Sequence, residues 1–295
     1  MPRLIRITDR CFYIPGPSNI GVVIIEKNNV ALIDSGADEK RASHAFELLS
    51  DYRYKITHVL NTHSHADHVA GNKFFKEKTG CKILAPKLEA QIINVPFIQA
   101  AVLFSGAPVP DLFNRFIMAA PSETSPLPEE SFKIGDLEIK PLDLPGHSIN
   151  QKGFLIDGTA FIADTLFPES FFQKQRFPFI YDPGAHLKTL DSLKDIKADF
   201  WIGGHFPHKQ NINVMTAINK KTTLEGLDFL QKLLVKPTSH ERAVKDFLDH
   251  FGLKKDKWEY YLYRATVNGY LSYLLRDGKA KYKIMDNLAV WYAIS

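Results

Sequence analysis

The chain has 295 residues, with 37 lysines and arginines against 33 aspartates and glutamates, a formal charge of +4, and 45% hydrophobic residues. So small an excess excludes a histone-like or polybasic binder, and 24% charged with 12% aromatic residues excludes a disordered chain. From Lys236 to Ser295 there are 11 basic and 7 acidic residues, so the whole excess lies in that C-terminal stretch and the rest is neutral.

In chain order, strands are expected at Leu4–Thr8, Cys11–Pro15, Ile20–Ile25 and Val30–Ile33, with Lys27-Asn28-Asn29 as a hairpin turn. Apolar residues at helical spacing (Ala42, Ala45, Phe46, Leu49) predict a helix over Asp38–Asp51. A strand at Ile56–Asn61, a helix at Val69–Lys78 and a strand at Lys82–Ala85 follow. Residues 87–130 read as a helical insertion ending in a Pro/Ser/Glu-rich loop. Strands resume at Phe132–Ile134, Leu137–Leu144, Gly153–Ile156 and Ala160–Ala163. A helix at His186–Ile196, a strand at Asp199–Ile202 and a long helix at Val214–Leu234 complete this part. The second half repeats the pattern of the first, which predicts an α/β fold with two sheets packed face to face and helices outside.

Lys236-Pro237-Thr238-Ser239 marks a boundary, because proline ends one helix and Ser239 can cap the next. Residues 1–235 are then one domain. Residues 236–295 form a small, mostly helical unit: helices at Glu241–Phe251 and Lys257–Leu275 and a hairpin at Lys279–Tyr292. Two cysteines, Cys11 and Cys81, cannot make a disulfide framework, the N-terminus lacks a signal-peptide core, and no run of 18 apolar residues occurs. A cytoplasmic protein with no membrane partner is expected.

The chemistry concentrates in Asn61-Thr62-His63-Ser64-His65-Ala66-Asp67-His68, where a strand gives way to a helix. Residues two apart on a helix point to nearly opposite sides, so His63 and His65 converge only from extended or looped backbone. Asp67 and His68, placed just before the helix, project elsewhere and could serve a second cation. His147, Asp164 and His205 each follow a strand-like run, in Leu144-Pro145-Gly146-His147, Phe161-Ile162-Ala163-Asp164 and Trp201-Ile202-Gly203-Gly204-His205. Imidazoles and carboxylates without thiolate suit zinc, iron or manganese, and Asp164 could bridge two cations.

With these motifs the sequence resembles the metallo-β-lactamase-fold superfamily over about residues 1–235. The resemblance implies a four-layer αββα sandwich and two divalent metal ions, zinc first, with iron or manganese as alternatives. It implies that His63, His65 and His147 hold the first ion, that Asp67, His68 and His205 hold the second, and that Asp164 bridges them. Asp34, in Leu32-Ile33-Asp34-Ser35-Gly36, matches the aspartate that supports the metal loop. Aspartate rather than cysteine at 164 is unlike the common antibiotic-hydrolysing lactamases, and His65 rather than glutamate is unlike flavodiiron reductases. Glyoxalase II-like hydrolases, lactonases and persulfide dioxygenases remain similar by motif.

The expected function is hydrolysis of an ester, thioester or lactone in a small-molecule substrate by metal-activated water, with Asp67 as the catalytic residue that orients it. Two alternatives stay open: a metal-dependent nuclease or phosphodiesterase, and a mononuclear-iron dioxygenase using His63, His147 and Asp164. The apolar stretch Val95–Ala120 and the aromatic-rich Phe167–Tyr181 read either as lid and pocket wall or as a homodimer interface or extra core. Residues 236–295 resemble a winged-helix module by layout, and Lys279-Ala280-Lys281-Tyr282-Lys283 reads either as a phosphate-contacting wing or as a solvated edge.

Overall fold

The computed structural model describes residues 3–253 and 256–294. The first sheet comprises β1 (Ile5–Arg6), β2 (Cys11–Ile14), β3 (Ile20–Glu26), β4 (Asn29–Ile33), β5 (Lys55–Leu60), β6 (Lys82–Ala85) and β7 (Ser125–Pro126), in that order. Pairing is antiparallel from β1 to β4 and parallel from β4 to β7. The second sheet comprises β8 (Phe132–Ile134), β9 (Leu137–Asp143), β10 (Lys152–Ile156), β11 (Thr159–Phe161) and β12 (Phe200–Ile202). The strands lie within a residue or two of the expected ones; β7 is the exception, an edge strand near the end of the 87–130 segment where a loop is expected.

The two sheets face one another across a shared apolar core. Val23, Ile25, Ala31 and Ile33 of the first sheet meet Ile139, Phe154, Phe161 and Ile202 of the second. Alternate residues of the same strands, Val22, Val30 and Leu32, pack outward against Ala42, Ala45 and Leu49 of α1 (Glu39–Asp51) and Phe75 of a later helix. Burial on both faces explains why β3 and β4 read as continuous apolar runs. Leu142, Ala160 and Trp201 of the second sheet pack outward against Leu190 and Met215. The architecture is therefore the expected αββα sandwich.

The helix expected after β5 needs correction. The single helix expected at Val69–Lys78 is two, α2 (Ala66–Val69) and α3 (Asn72–Thr79), broken at Ala70-Gly71. There the chain is pressed against Ser35: a β-carbon on Gly71 would lie 2.3 Å from the Ser35 carbonyl oxygen. Asp67 and His68 consequently sit inside the first turn of a helix rather than before it. Residues 87–130 hold α4 (Lys87–Asn94) and α5 (Phe97–Phe104), then mostly irregular chain. The aromatic-rich stretch Phe167–Tyr181 contains a helix, α6 (Glu169–Gln175).

The helix expected from His186 begins three residues earlier as α7 (Pro183–Ser192), because the Asp182 side chain accepts from the amides of Gly184 and Ala185 at 2.9 and 3.1 Å and Pro183 suits the first helical position. His186 itself is buried, and its Nδ1 has no hydrogen-bond partner among the described residues. Burial pushes its pKa down to about 4. As the pH falls, the unfolded chain is protonated first, so stability tied to His186 is complete above about pH 6.5 and is lost from there down to about pH 4, by about 3 kcal/mol. Urea unfolding at pH 7 and pH 4.5 should show a smaller acid loss for His186→Gln than for the unaltered chain; parallel losses would refute the assignment.

The chain ends with α8 (Asn213–Leu233), β13 (Thr238–Ser239), α9 (His240–Phe251), α10 (Lys257–Arg276), β14 (Ala280–Met285) and β15 (Leu288–Ala293), the strands paired in the order β13-β15-β14. This segment shares one core with the preceding part: Leu227, Leu230 and Leu234 pack with Val244, Phe247, Val267 and Tyr270, and Phe177 joins them. Residues of α10 also pack on Ala100 and Leu103 of α5. The hairpin lysines are engaged locally, Lys279 with Asp277 at 2.7 Å, and Lys281 and Lys283 over the Tyr292 ring at 5.1 and 5.9 Å. No helix among the described residues is long and apolar enough to cross a membrane.

Candidate metal centre

Strand direction brings the chemistry to one edge of the sandwich. β4 and β5 are parallel, so Asp34 and Thr62-His63 leave their strands side by side. β9 and β11 both pair antiparallel to β10 and therefore run the same way, and β12 is parallel to β11. His147, Asp164 and His205 thus emerge after three codirectional strand ends. Two of these exits use left-handed backbone at non-glycine residues, Asp34 (φ 61°) and Ala163 (φ 47°), a sparsely populated conformation that persists only where the surroundings hold it. At the His205 exit, glycine is required: a β-carbon on Gly204 would lie 2.1 Å from Asp164 Oδ1.

All seven candidate side chains converge. The ligand-capable atoms of His63, His65 and His147 lie within 4.8 Å of one another, as do those of His63, His68 and Asp164, and those of Asp67, His68 and His205. Asp164 lies between the groups: its Oδ2 is 3.6 Å from His147 Nε2 and 3.0 Å from His205 Nε2, and its Oδ1 is 3.2 Å from His68 Nε2. His65 caps α2 from extended backbone (φ −62°, ψ 140°), which is the geometry that lets it share a focus with His63.

The far sides of the rings are held by acceptors that dictate their tautomers. His147 Nδ1 donates to the Phe179 carbonyl at 2.9 Å, His205 Nδ1 to the Pro17 carbonyl at 2.6 Å, and His68 Nδ1 to Asp34 Oδ2 at 2.8 Å. The Thr62 hydroxyl donates to Asp34 Oδ2 at 2.9 Å and so accepts from His63 Nδ1, also at 2.9 Å. Four imidazoles therefore turn Nε2 inward, the arrangement in which outer-shell hydrogen bonds orient metal-binding histidines. His63 Nε2 is buried without a hydrogen-bond partner among the described residues, and His68 Nε2 and Asp164 Oδ1, 3.2 Å apart, complete no well-directed hydrogen bond there. Orphaned buried lone pairs are costly, and a divalent cation would satisfy these.

Electrostatics divides the cluster in two. Burial pushes His63 and His147 well below the usual imidazole value and lowers His65, which leaves three neutral nitrogen donors. For His68 and His205 burial acts the same way but is overcome by Asp164 and Asp67, which raise His68 well above its ordinary value and His205 to about 9. Against burial, His205 and His68 hold the Asp164 carboxyl well below the usual range. The carboxylate-bearing half thus favours positive charge, from protons or from cations.

A cavity of about 640 Å³ opens onto this centre, bordered by His65, Asp67, His147, Asp164 and His205. Phe167, Phe171, Phe177 and Phe179 line it, as do Phe116 and Ile117 of the 87–130 segment. Trp258, Leu262 and Tyr263 of α10 also line it, and Trp258 stacks on Phe116 with centroids 5.3 Å apart. Nothing in the sequence of the C-terminal segment signals that contribution. Glu89 and the carbonyls of Phe179 and Pro17 escape a sequence reading as well. Nothing in Lys87-Leu88-Glu89 separates a buried glutamate from a solvated one, and backbone carbonyls carry no residue signal.

The family model for the metallo-beta-lactamase superfamily matches residues 13–205. Among curated proteins, the chain is 30% identical to a hydroxyacylglutathione hydrolase of Methylococcus capsulatus over 155 residues, 50% of each chain. It is 33% identical to the hydroxyacylglutathione hydrolase of Rhizobium etli over 116 residues, 39% of this chain and 35% of the relative. The chain therefore spans half or less of the length of these relatives. Among solved structures, a beta-lactamase domain protein from Burkholderia ambifaria superposes with a TM-score of 0.79 at 15% identity, covering 99% of this chain and 93% of the other. A metallo-beta-lactamase family protein from Thermus thermophilus gives 0.73 at 20%, covering 100% and 98%. With the family model spanning about two thirds of its length and including every candidate site residue, the chain belongs to the metallo-beta-lactamase superfamily.

Proposed function

We propose that the chain is a hydrolase of ester, thioester or lactone bonds that works with two divalent cations, zinc first among them. The observation that carries this reading is the inward set of imidazole nitrogens with Asp164 between its two halves. His63, His65 and His147 would hold one cation, Asp67, His68 and His205 the other, and Asp164 would contact both. When bound, such a pair supplies a water of lowered pKa and Lewis-acid sites for a carbonyl oxygen. Asp67, part-exposed in the cavity lining, would accept a hydrogen bond from a water held there and so orient it. The aromatic walls suit an apolar acyl group. No serine or cysteine nucleophile is required.

The curated relatives are named for hydrolysis of hydroxyacylglutathione, so a glutathione thioester is the first substrate to test; the aromatic cavity favours thioesters with longer apolar acyl groups. Metal analysis of protein purified without added metal, followed by rates on both kinds of thioester, a lactone and a phosphodiester, tests the reading. About two equivalents of metal, hydrolysis lost on chelation and a preference for the apolar acyl group are expected. Active protein without metal, or turnover of the phosphodiester alone, would sink the proposal. Iron together with oxygen consumption would point to the dioxygenase instead.

A further inference from the structure

We propose that Glu89, in the first turn of α4, is a positioning residue that locks the loop carrying His63 and His65 to the loop carrying His147; this rests on the reading that those three imidazoles hold a cation. Glu89 is fully buried, yet no lysine, arginine or histidine forms a salt bridge with it among the described residues. Its carboxylate accepts four hydrogen bonds, two from each loop. Oε2 takes the Ser64 amide at 3.0 Å and the Ser64 hydroxyl at 2.5 Å. Oε1 takes the Ser148 hydroxyl at 2.6 Å and the Asn150 amide at 2.9 Å. Ser64 separates His63 from His65, and Ser148 follows His147, so each donor pair is anchored next to a ring of the three-imidazole group.

A carboxylate is the side chain this junction needs, because it offers acceptors only. Two of the four donors are backbone amides, which cannot reverse their role. Glutamine would point its NH2 group at one loop or the other and release it. The same helix also holds the His147 loop through its backbone, since the Leu88 amide donates to Asn150 Oδ1 at 3.2 Å. The two loops come from different sheets, β5 in the first and β9 in the second, and Glu89 spans the gap from α4. His65 Nδ1 and His147 Nε2 are held 2.8 Å apart across that junction.

The test is cobalt(II) titration of the metal-depleted full chain in a His205→Ala background, which disables the second group so that the visible spectrum reports the three-imidazole group. Glu89→Gln should weaken cobalt binding about 10- to 100-fold, the size found when outer-shell partners of metal ligands are lost. Ser148→Ala, which removes one of the four bonds, should weaken it by a smaller factor in the same direction. Glu89→Asp, with the same acceptors on a shorter arm, should recover part of the loss. A merely structural role would lower the melting temperature of the metal-free variants while leaving the affinity of the folded protein unchanged; that result would overturn the proposal. If Glu89→Gln does not fold, Ser148→Ala decides, and wild-type affinity there would overturn it equally. Cobalt binding absent from both the unaltered chain and the background variant would bring down the metal reading itself, and the positioning role with it.

Discussion

Replacing His147 by alanine is expected to reduce hydrolysis about 1,000-fold or more while leaving the fold in place, because on the proposed reading a metal ligand would be lost and with it the water that the cation would activate. The residue is 4% exposed, with Nδ1 fixed by the Phe179 carbonyl and Nε2 facing both His65 and Asp164. It is carried by a loop after β9 rather than by a packed strand, so its removal disturbs the two sheets little. Circular dichroism should match the unaltered protein, and metal analysis should fall by about one equivalent. A variant with unchanged metal content and more than a tenth of the original rate would remove His147 from the centre.

Asp34→Ala should produce the largest loss of stability. Asp34 contacts no substrate cavity wall, but its carboxylate collects the Thr62 amide at 2.8 Å, the Thr62 hydroxyl at 2.9 Å and His68 Nδ1 at 2.8 Å. Truncation leaves three buried donors without an acceptor, at a cost of about 3–5 kcal/mol. Alanine also tolerates the left-handed backbone at this position poorly, which adds about 1 kcal/mol. Denaturant unfolding of the metal-depleted protein would measure the sum. Asp34→Asn should be intermediate, since asparagine adopts left-handed backbone more readily and keeps one carbonyl oxygen. A loss below about 1 kcal/mol for Asp34→Ala would show that water replaces the carboxylate and that the network is not structural.

The two predictions differ in how far the sequence alone supports them. His147 is legible through its setting, a histidine after Leu144-Pro145-Gly146 at the end of a strand-like run, and Asp34 through its place after Leu32-Ile33. The αββα layers are equally legible, since apolar runs buried on both faces and helices of period 3.6 leave distinct patterns. Helix ends are less so. The split between α2 and α3 depends on Gly71 meeting the Ser35 carbonyl, a contact between residues 36 positions apart. Glu89 is invisible for a related reason: its four donors come from residues 25 to 61 positions away, and local composition says nothing about them.

By itself, then, the sequence determined which residue types could meet a cation and where each leaves its strand, because both are local properties of the chain. It placed the entire charge excess after Val235 and left the role of that C-terminal segment open between a nucleic-acid contact and a solvated face. The tertiary structure alone decided that Trp258, Leu262 and Tyr263 from that segment wall the cavity, that its hairpin lysines rest on Tyr292 and Asp277, and that each inward imidazole has an acceptor behind it. These are long-range contacts, formed when apolar surfaces distant in sequence are buried together, and neither residue spacing nor net charge encodes which partners meet.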